Sequence, residues 1–217
     1  DGKRFLDYGC GDGLMAQATL AKGVAYAVGY DITADKFIPN TSSRLKLTTD
    51  SSSLQDKSFD VIFAYDVLDH SQDPIQSLME IGRWLAPNGT VYANCHPWTS
   101  RHGGHFYRQF NKAFAHLWLD EPEAKKRKLD VVHTYKVLRP IRTYKKWFET
   151  AGFIVKEENI IRSSNPLEKF FRTNKDVWQW MTRHFNELKD RGEVLTDDEI
   201  ASILEIDFVD YTLQLDT

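Results

Sequence analysis

Phe5-Leu-Asp-Tyr-Gly-Cys-Gly-Asp-Gly13 is the stretch on which the fold assignment depends. It indicates a buried strand that runs directly into a glycine-rich turn, and the helix-forming run Gly13–Lys22 follows. A strand, a glycine turn and a helix N-terminus together place backbone N–H groups around a nucleotide-like ligand. Glycine also permits positive φ angles and close approach of the backbone to a ligand. Gly9, Gly11 and Gly13 are therefore candidate binding residues.

Two acidic residues accompany the glycines. Asp7 stands directly before the turn, and Asp31 ends a second apolar run, Ala25–Asp31. An acid about 20 residues past such glycines, at the carboxyl end of a strand, usually holds a ribose diol. A helix cap is the alternative role for Asp31. The third glycine comes one residue earlier than in the nicotinamide fingerprint Gly-x-Gly-x-x-Gly, which disfavours a dehydrogenase.

The motif at residues 7–13 resembles the (Asp/Glu)-x-Gly-x-Gly-x-Gly signature of class I S-adenosylmethionine-dependent methyltransferases. Residues 59–70 resemble a further conserved block of this family, with Asp69 in place of its glutamate, and residues 139–153 resemble its last crossover helix. The resemblance implies S-adenosyl-L-methionine as cofactor. It is strongest to the branch that methylates quinones and other metabolites, which implies a small-molecule acceptor.

The alternation of strands and helices predicts an α/β fold: a doubly wound, seven-stranded, mostly parallel sheet with the last strand antiparallel. Helices are predicted at Gly13–Lys22, from Pro74 to about Leu85, and within residues 139–153. Ligands of such sheets lie at the carboxyl ends of the strands. The predicted strands are Lys3–Tyr8, Ala25–Asp31, Arg44–Thr49, Phe59–Tyr65, Thr90–Asn94, Phe153–Ile161 and Phe208–Leu215.

One domain is expected for 217 residues. Residues 96–138 and 162–205 are too long for ordinary connections, and we interpret them as two helical insertions that cap the active site. Residues 1–95 form the cofactor-binding half, residues 139–161 the last crossover helix and strand six, and residues 206–217 the final strand. Family members usually carry helices upstream of the first strand, so we expect a fragment or a domain of a longer polypeptide.

Residues at the predicted ligand edge are the candidate cofactor contacts. The resemblance implies that Asp50 accepts a hydrogen bond from the adenine amino group, whereas a simple turn cap is the alternative, because serines follow it. The complete set of predicted cofactor-binding residues is Asp7, Gly9, Cys10, Gly11, Gly13, Asp31, Ile32, Asp50, Ser51, Tyr65 and Asp66.

Histidines after the fifth strand are the candidate general bases. His96 and His105 are the preferred pair, in a loop expected to overhang the sulfonium methyl group. A neutral imidazole near pH 7 can take the acceptor's proton. The alternative for each is a loop histidine that is hydrogen-bonded to the backbone.

No metal site is predicted. A closed structural zinc site needs four ligands, and Cys95 is the one thiol near these histidines. Three side chains resemble the carboxylates and the amide that hold magnesium in magnesium-dependent catechol methyltransferases, namely Asp66, Asp69 and Asn94. Their order along the strands matches only in part, so contacts to the cofactor and helix caps are favoured.

The composition and net charge limit the kinds of partner and the location that we expect for this protein. A net charge of −3 gives no general attraction to nucleic acid or anionic membranes, and no apolar run approaches the ~18 residues of a membrane span. The two cysteines do not have the spacing of a metal or redox site, which favours a reduced, cytoplasmic protein.

The basic run at residues 125–128 favours a solvated helix face, with nucleic-acid contact as the alternative. An RNA methyltransferase domain and a non-catalytic partner subunit therefore stay open beside the small-molecule enzyme, and the oligomeric state is not predicted.

Overall fold

The computed structural model describes residues 2–39, 42–97, 100–101, 110, 112–115, 119, 121–129, 141–163, 174–175 and 204–216. The strands are β1 (Arg4–Tyr8), β2 (Tyr26–Tyr30), β3 (Leu45–Thr48), β4 (Phe59–Tyr65), β5 (Leu85–Cys95), β6 (Phe153–Arg162) and β7 (Ile206–Leu215). The helices are α1 (Leu14–Leu20), α2 (Pro74–Trp84), α3 (Glu121–Lys126) and α4 (Ile141–Thr150). Within these ranges, no helix is both long enough and apolar enough to cross a membrane.

The seven strands form one sheet in the order β3-β2-β1-β4-β5-β7-β6. Strand β1 pairs in parallel with β2 on one side and with β4 on the other, so the strand order reverses beside β1. The pairs β2–β3 and β4–β5 are also parallel. The predicted fold class is confirmed, and the point of reversal is where sheets of this kind bind ligands.

Strands β6 and β7 run in opposite directions. The Asp216 N–H donates to the Gly152 carbonyl at 2.9 Å, and the Ser163 N–H donates to the Glu205 carbonyl at 2.7 Å. The start of each strand is thus paired with the end of the other. This pair supplies the antiparallel part of the otherwise parallel sheet, as the sequence predicts.

Helices cover both faces of the central strands, as a parallel sheet requires. On one face, Ala16 of α1 packs with Phe5, Ala27 and Leu45. On the opposite face, the fully buried Trp84 of α2 lies with its ring centroid 6.1 Å from that of Tyr8 and 5.8 Å from that of Tyr30. These contacts fix the glycine turn, which follows β1, against the sheet.

Helix α2 begins as the sequence predicts. The Gln76 N–H donates to the Asp73 carboxylate at 2.9 Å, and Pro74 occupies the first helical turn. An aspartate cap satisfies a backbone donor that the helix itself leaves without a partner, and proline costs nothing there because it has no N–H.

Strand β5 is longer than predicted, because it begins at Leu85 instead of Thr90. Phe59 pairs with Leu85 and Val61 pairs with Thr90, with a register shift between them. The Pro-Asn-Gly sequence at residues 87–89, which lies between the predicted helix and strand, is therefore an interruption inside β5. Asn88 has a φ of 62° there, a left-handed value that asparagine tolerates.

The chain divides into two compact units. One consists of Asp1–Cys95, Tyr144–Asn159 and Asp210–Thr217, and the other of His96–Thr143 and Ile160–Val209. The predicted insertions at residues 96–138 and 162–205 belong to the second unit, and most of their residues lie outside the described ranges. Their role as caps stays a prediction.

The basic run of residues 125–128 begins in helix α3 and continues past its end at Lys126. Glu123 forms ion pairs with Lys126 at 3.8 Å and with Arg127 at 2.7 Å. Ala124 and Leu129 are buried in a small cluster with Ala115 and Leu119. The four basic residues are exposed, two at the end of a helix whose other side is packed and two just after it, which favours a solvated surface over nucleic-acid contact.

Candidate cofactor site

The glycine turn after β1 is held in a left-handed backbone conformation. Gly9, Gly11 and Gly13 have φ angles of 75°, 57° and 85°. A Cβ atom on Gly9 would lie 2.5 Å from Val67 Cγ2, and one on Gly13 would lie 2.6 Å from Leu47 Cδ2. A Cβ atom on Gly11 would meet no described residue within 4 Å. Packing thus requires two of the glycines, whereas Gly11 faces open space at the ligand edge.

Backbone amides of the turn are bonded within the protein. The N–H groups of Gly9 and Cys10 both donate to the Tyr30 carbonyl, at 2.8 and 3.0 Å, and the Gly13 N–H donates to the Cys10 carbonyl at 2.9 Å. We expected these donors to face a ligand, but strand β2 supplies the acceptor for Gly9 and Cys10, and the turn itself supplies the acceptor for Gly13. The turn therefore contributes mainly its shape and its lack of side chains to a binding site.

The Cys10 side chain points into the protein. It is 8% exposed, and its Sγ atom would lie 2.8 Å from a Cβ atom placed on Gly29. Burial, and then the nearby Asp7 and Asp31 carboxylates, raises the pKa of the Cys10 thiol to about 12. The thiol is therefore protonated and unreactive, and contact of Cys10 with a cofactor would have to involve its backbone.

Asp31 lies beside the glycine turn, as predicted. Its Oδ2 atom accepts a hydrogen bond from the Gly11 N–H at 2.8 Å, and its Oδ1 atom accepts one from the Thr33 N–H at 3.3 Å. A carboxylate has about four lone-pair positions, so Asp31 can still accept hydrogen bonds from ligand hydroxyl groups. The adjacent Ile32 side chain is 84% exposed and offers an apolar surface at the same edge.

Asp7 is the buried acid of the site. It is 4% exposed, and its Oδ2 atom is buried without a hydrogen-bond partner in the described part of the chain. Burial raises the pKa of Asp7 to about 7; a hydrogen bond from the Ala16 backbone opposes this, and the charges of Asp12 and Asp31 add to it. The site thus holds a carboxyl group poised to ionise when a cation approaches.

Asp50 follows β3 at the same edge of the sheet. Its Oδ1 atom accepts hydrogen bonds from the Ser52 N–H at 2.9 Å and from the Ser52 hydroxyl at 2.6 Å, which lower the pKa of the carboxyl group. Asp50 therefore caps the short 3-10 turn Ser51–Ser53, the alternative that the sequence left open. Its contact with adenine stays a prediction, and so does that of Ser51.

The carboxyl end of β4 presents Tyr65 and Asp66. The Tyr65 ring is 49% exposed in the structure and stacks on Phe63 with centroids 5.6 Å apart. Asp66 has a φ of 56°, and its N–H donates to the Asn94 carbonyl at 3.2 Å. The Asn94 amide in turn donates to the Asp210 carboxylate at 2.6 Å. Sequence reasoning missed Asp210, because only the placement of β7 beside β5 brings it here.

His96 comes directly after β5. Its Nδ1 atom lies 3.1 Å from the Asp207 carbonyl, and its ring centroid lies 5.6 Å from that of Phe208. A carbonyl can only accept a hydrogen bond, so we assign the proton to Nδ1, which makes Nε2 the accepting nitrogen. The backbone contact that the sequence left open is thus present. His105 lies outside the described residues, so both catalytic assignments stay predictions.

A seven-stranded sheet of this order, with a glycine turn after β1 and an acid after β2, defines the Rossmann-like fold of methyltransferases. Residues 6–93 match the family described as "Methyltransferase domain". Residues 6–93 are therefore a methyltransferase domain, and the fold of the chain supports a class I S-adenosylmethionine-dependent methyltransferase.

Curated relatives align with less than half of the chain. The ubiquinone biosynthesis O-methyltransferase of Neisseria meningitidis is 26% identical over 103 residues, which cover 42% of this chain and 43% of that protein. The tRNA U34 carboxymethyltransferase of Hydrogenovibrio crunogenus is 31% identical over 108 residues, covering 42% of this chain and 31% of that protein. The chain thus matches less than half the length of these relatives.

Solved structures share the fold along the whole chain. One is a chain from the complex between the Haloferax volcanii Trm112 methyltransferase activator and a methyltransferase, with a TM-score of 0.60, 16% identity, and coverage of 100% of this chain and 84% of that chain. Another is Haemonchus contortus phosphoethanolamine N-methyltransferase 2 with S-adenosyl-L-methionine, with a TM-score of 0.58, 16% identity, and coverage of 100% and 49%. At these identities the likeness concerns the fold alone.

S-adenosyl-L-methionine is the cofactor of this family, and three features of the chain fit it. Gly11 leaves open space where a Cβ atom would otherwise stand. Asp31 retains acceptor capacity beside Gly11. Asp7 offers a buried carboxyl oxygen to which no described residue donates a hydrogen bond. Together they suit a ligand with hydroxyl groups and a positive charge.

Proposed function

We propose that this protein transfers a methyl group from S-adenosylmethionine to an oxygen, nitrogen or carbon atom of a small-molecule acceptor. The observation that carries the proposal is the hydrogen bond of 2.8 Å between Gly11 and Asp31, which joins an open glycine to a half-buried acid at the carboxyl edge of the sheet. The proposal concerns the activity of the whole protein, and the family membership of residues 6–93 supports it.

The cofactor, when bound, supplies a methyl group that the positively charged sulfur already activates. The protein's part is to bind the cofactor, to align the acceptor with the methyl–sulfur bond and to exclude water. We assign Asp31 to the ribose hydroxyl groups and Ile32 to the apolar face of the adenine. We assign Asp50 to the adenine amino group, through lone pairs other than those used by Ser52.

An oxygen acceptor must lose a proton during the transfer. We propose His96 as the base that takes this proton, because its Nδ1–H is directed at the Asp207 carbonyl and Nε2 is then the basic nitrogen. His105 is proposed as a second base on the sequence argument alone. A nitrogen or carbon acceptor needs less help, so neither histidine is required by the proposal as a whole.

A small-molecule acceptor is favoured over RNA. The relative named for ubiquinone biosynthesis supports a metabolite as acceptor, whereas the relative named for tRNA U34 supports RNA. The net charge of −3 disfavours a polynucleotide, and Glu123 pairs with two cations of the basic run on α3. RNA methylation is the second candidate, and a non-catalytic partner subunit is the third. A cytoplasmic location stays a prediction.

Transfer of a radiolabelled methyl group tests the proposal. The protein would be incubated with labelled S-adenosylmethionine and either a set of phenolic and quinol metabolites or total tRNA. We expect label in the metabolite fraction. Label in tRNA alone would contradict the proposal and show RNA methylation instead. Cofactor binding without label in either fraction would favour a non-catalytic partner subunit.

Replacing Asp31 with asparagine is expected to weaken S-adenosylmethionine binding by about 10- to 100-fold. The change removes a charged acceptor, and hydrogen bonds to charged groups are worth roughly 1.5–3 kcal/mol. Asp35→Asn is the matched control, since Asp35 is an exposed acid in the same loop. Calorimetric titration measures both variants, and equal affinities would remove Asp31 from the site.

A further inference from the structure

A cavity lies on the sheet at the amino ends of its central strands. Its volume is about 310 Å³, within the range of roughly 300–1,000 Å³ that is usual for small-ligand pockets. Arg4, Tyr26 and Phe59, which line it, are the first residues of β1, β2 and β4. The glycine turn instead follows the last residue of β1, roughly 13 Å away at about 3.3 Å per residue. The cavity is therefore separate from the cofactor edge.

Apolar side chains from the strands, and from the connection between β3 and β4, line part of this cavity. Val28, Leu54 and Phe59 are buried, and the half-buried Tyr26 ring also lines the cavity. These four side chains can pack against hydrocarbon and offer a single hydroxyl group among them. The cavity therefore suits a ligand with an apolar or aromatic body.

Lys46 brings a positive charge to the cavity wall. Its Nζ atom donates to the Ser53 hydroxyl oxygen at 2.8 Å and reaches the Ser53 carbonyl oxygen at 3.5 Å. These partners are neutral, and Lys46 forms no ion pair with a described residue. The pKa of Asp50 is lowered mainly by hydrogen bonds from Ser52, and the charge of Lys46 contributes least to this effect. An anionic ligand could therefore balance the Lys46 charge.

Arg4 adds hydrogen-bond donors to the cavity without adding net charge. Its Nε atom donates to Asp60 Oδ2 at 3.1 Å, and its Nη2 atom donates to Asp60 Oδ1 at 2.8 Å, so Asp60 balances the Arg4 charge. A guanidinium group has five N–H donors, and Asp60 takes up two of them. The other donors have no acceptor in the described part of the chain. Lys46 and Arg4 together suit an anion with several acceptor oxygens.

We propose that this cavity binds a small phosphate monoester with an apolar or aromatic body. A phosphate group offers three terminal oxygens, and lysine and arginine side chains both bind it well. Lys46 supplies the opposite charge, Arg4 supplies further N–H donors, and Val28, Leu54 and Phe59 contact the body. A bare anion would leave the apolar part of the cavity without a partner. The site goes beyond the proposed methyl transfer and does not depend on it.

Calorimetric titration of the full chain, without S-adenosylmethionine, tests the site with phenyl phosphate as the probe. We expect one bound molecule per chain, with a dissociation constant of about 1 mM or lower. Inorganic phosphate lacks the apolar body and phenol lacks the charge, so both should bind at least about 10-fold more weakly. The proposal is overturned if phenyl phosphate does not bind, or if either of the other two compounds binds as tightly.

Replacing Lys46 tests whether phenyl phosphate binds in this cavity. Lys46→Met removes the charge and should weaken binding at least about 10-fold, whereas Lys46→Arg keeps the charge and should retain most of the affinity. Lys46 is only half-buried, so these changes carry little folding risk.

The matched control is Lys22→Met, because Lys22 is an exposed cation just after α1, which covers the opposite face of the sheet. This variant should bind phenyl phosphate as the unchanged protein does. Equal affinities of Lys46→Met and Lys22→Met would show that phenyl phosphate binds elsewhere and would overturn the proposal. Because no cofactor is present, none of these results bears on the proposed methyl transfer.

Discussion

Replacing Gly11 with alanine is expected to abolish S-adenosylmethionine binding while the protein stays folded. Among the residues that the structure describes, nothing lies within 4 Å of a Cβ atom at this position, so the added methyl group would occupy space that we assign to the cofactor. The φ of 57° imposes a strain of roughly 1–2 kcal/mol on alanine. We expect calorimetry to show an affinity at least about 100-fold lower, with circular dichroism unchanged.

Gly152→Ala is the matched control for this variant. Gly152 has a φ of 81°, and a Cβ atom on it would also meet nothing within 4 Å in the described part of the chain, but it lies in the turn between α4 and β6. Both variants should lose similar stability, and only Gly11→Ala should lose binding. If the two bind S-adenosylmethionine alike, the cofactor does not lie against Gly11.

Replacing Asp7 with asparagine is expected to stabilise the protein above pH 7. The folded protein holds the Asp7 proton up to a pKa of about 7, whereas an unfolded chain loses it near 3.8. The stability that Asp7 contributes is therefore complete below about pH 4 and is lost as the pH rises through about 7. The difference corresponds to at most about 4 kcal/mol. Asparagine is neutral throughout, so urea unfolding of the variant should depend less on pH between 5 and 8.

The same change is expected to weaken cofactor binding. S-adenosylmethionine is positively charged and favours the ionised form of Asp7, so its affinity for the unchanged protein should increase between pH 6 and pH 8. Asp7→Asn should bind more weakly at pH 8 and lose most of this increase. Asp56→Asn controls for the general loss of an acid. A variant that is neither more stable nor weaker in binding would show that the buried carboxyl group has no part in the site.

Local patterns predicted most of the elements that form the site. The bounds of β4 are those expected from its apolar run, and the aspartate cap and proline set the start of α2. The position of Asp31 followed from its distance along the chain from the glycines. These features depend on residues that are neighbours in sequence, which is why the sequence sufficed.

Other features depend on contacts between distant segments. The Tyr30 carbonyl accepts hydrogen bonds from the N–H groups of Gly9 and Cys10, because β2 pairs with β1. No local pattern in the sequence predicts these bonds. Strand β5 starts early because Leu85 pairs with Phe59 of β4. A register shift between Phe59 and Val61 then accommodates the interruption in β5. Asp210 accepts a hydrogen bond from Asn94, which lies 116 positions earlier in the sequence, so no local pattern predicts this contact.

The central claim is that the carboxyl edge of β1 and β2 binds S-adenosylmethionine. Isothermal titration of the unchanged protein with S-adenosylmethionine, and separately with its demethylated product, tests it most directly. The account predicts that both ligands bind at one site per chain and compete with each other. Absence of binding by both ligands to a protein that circular dichroism shows to be folded would contradict it.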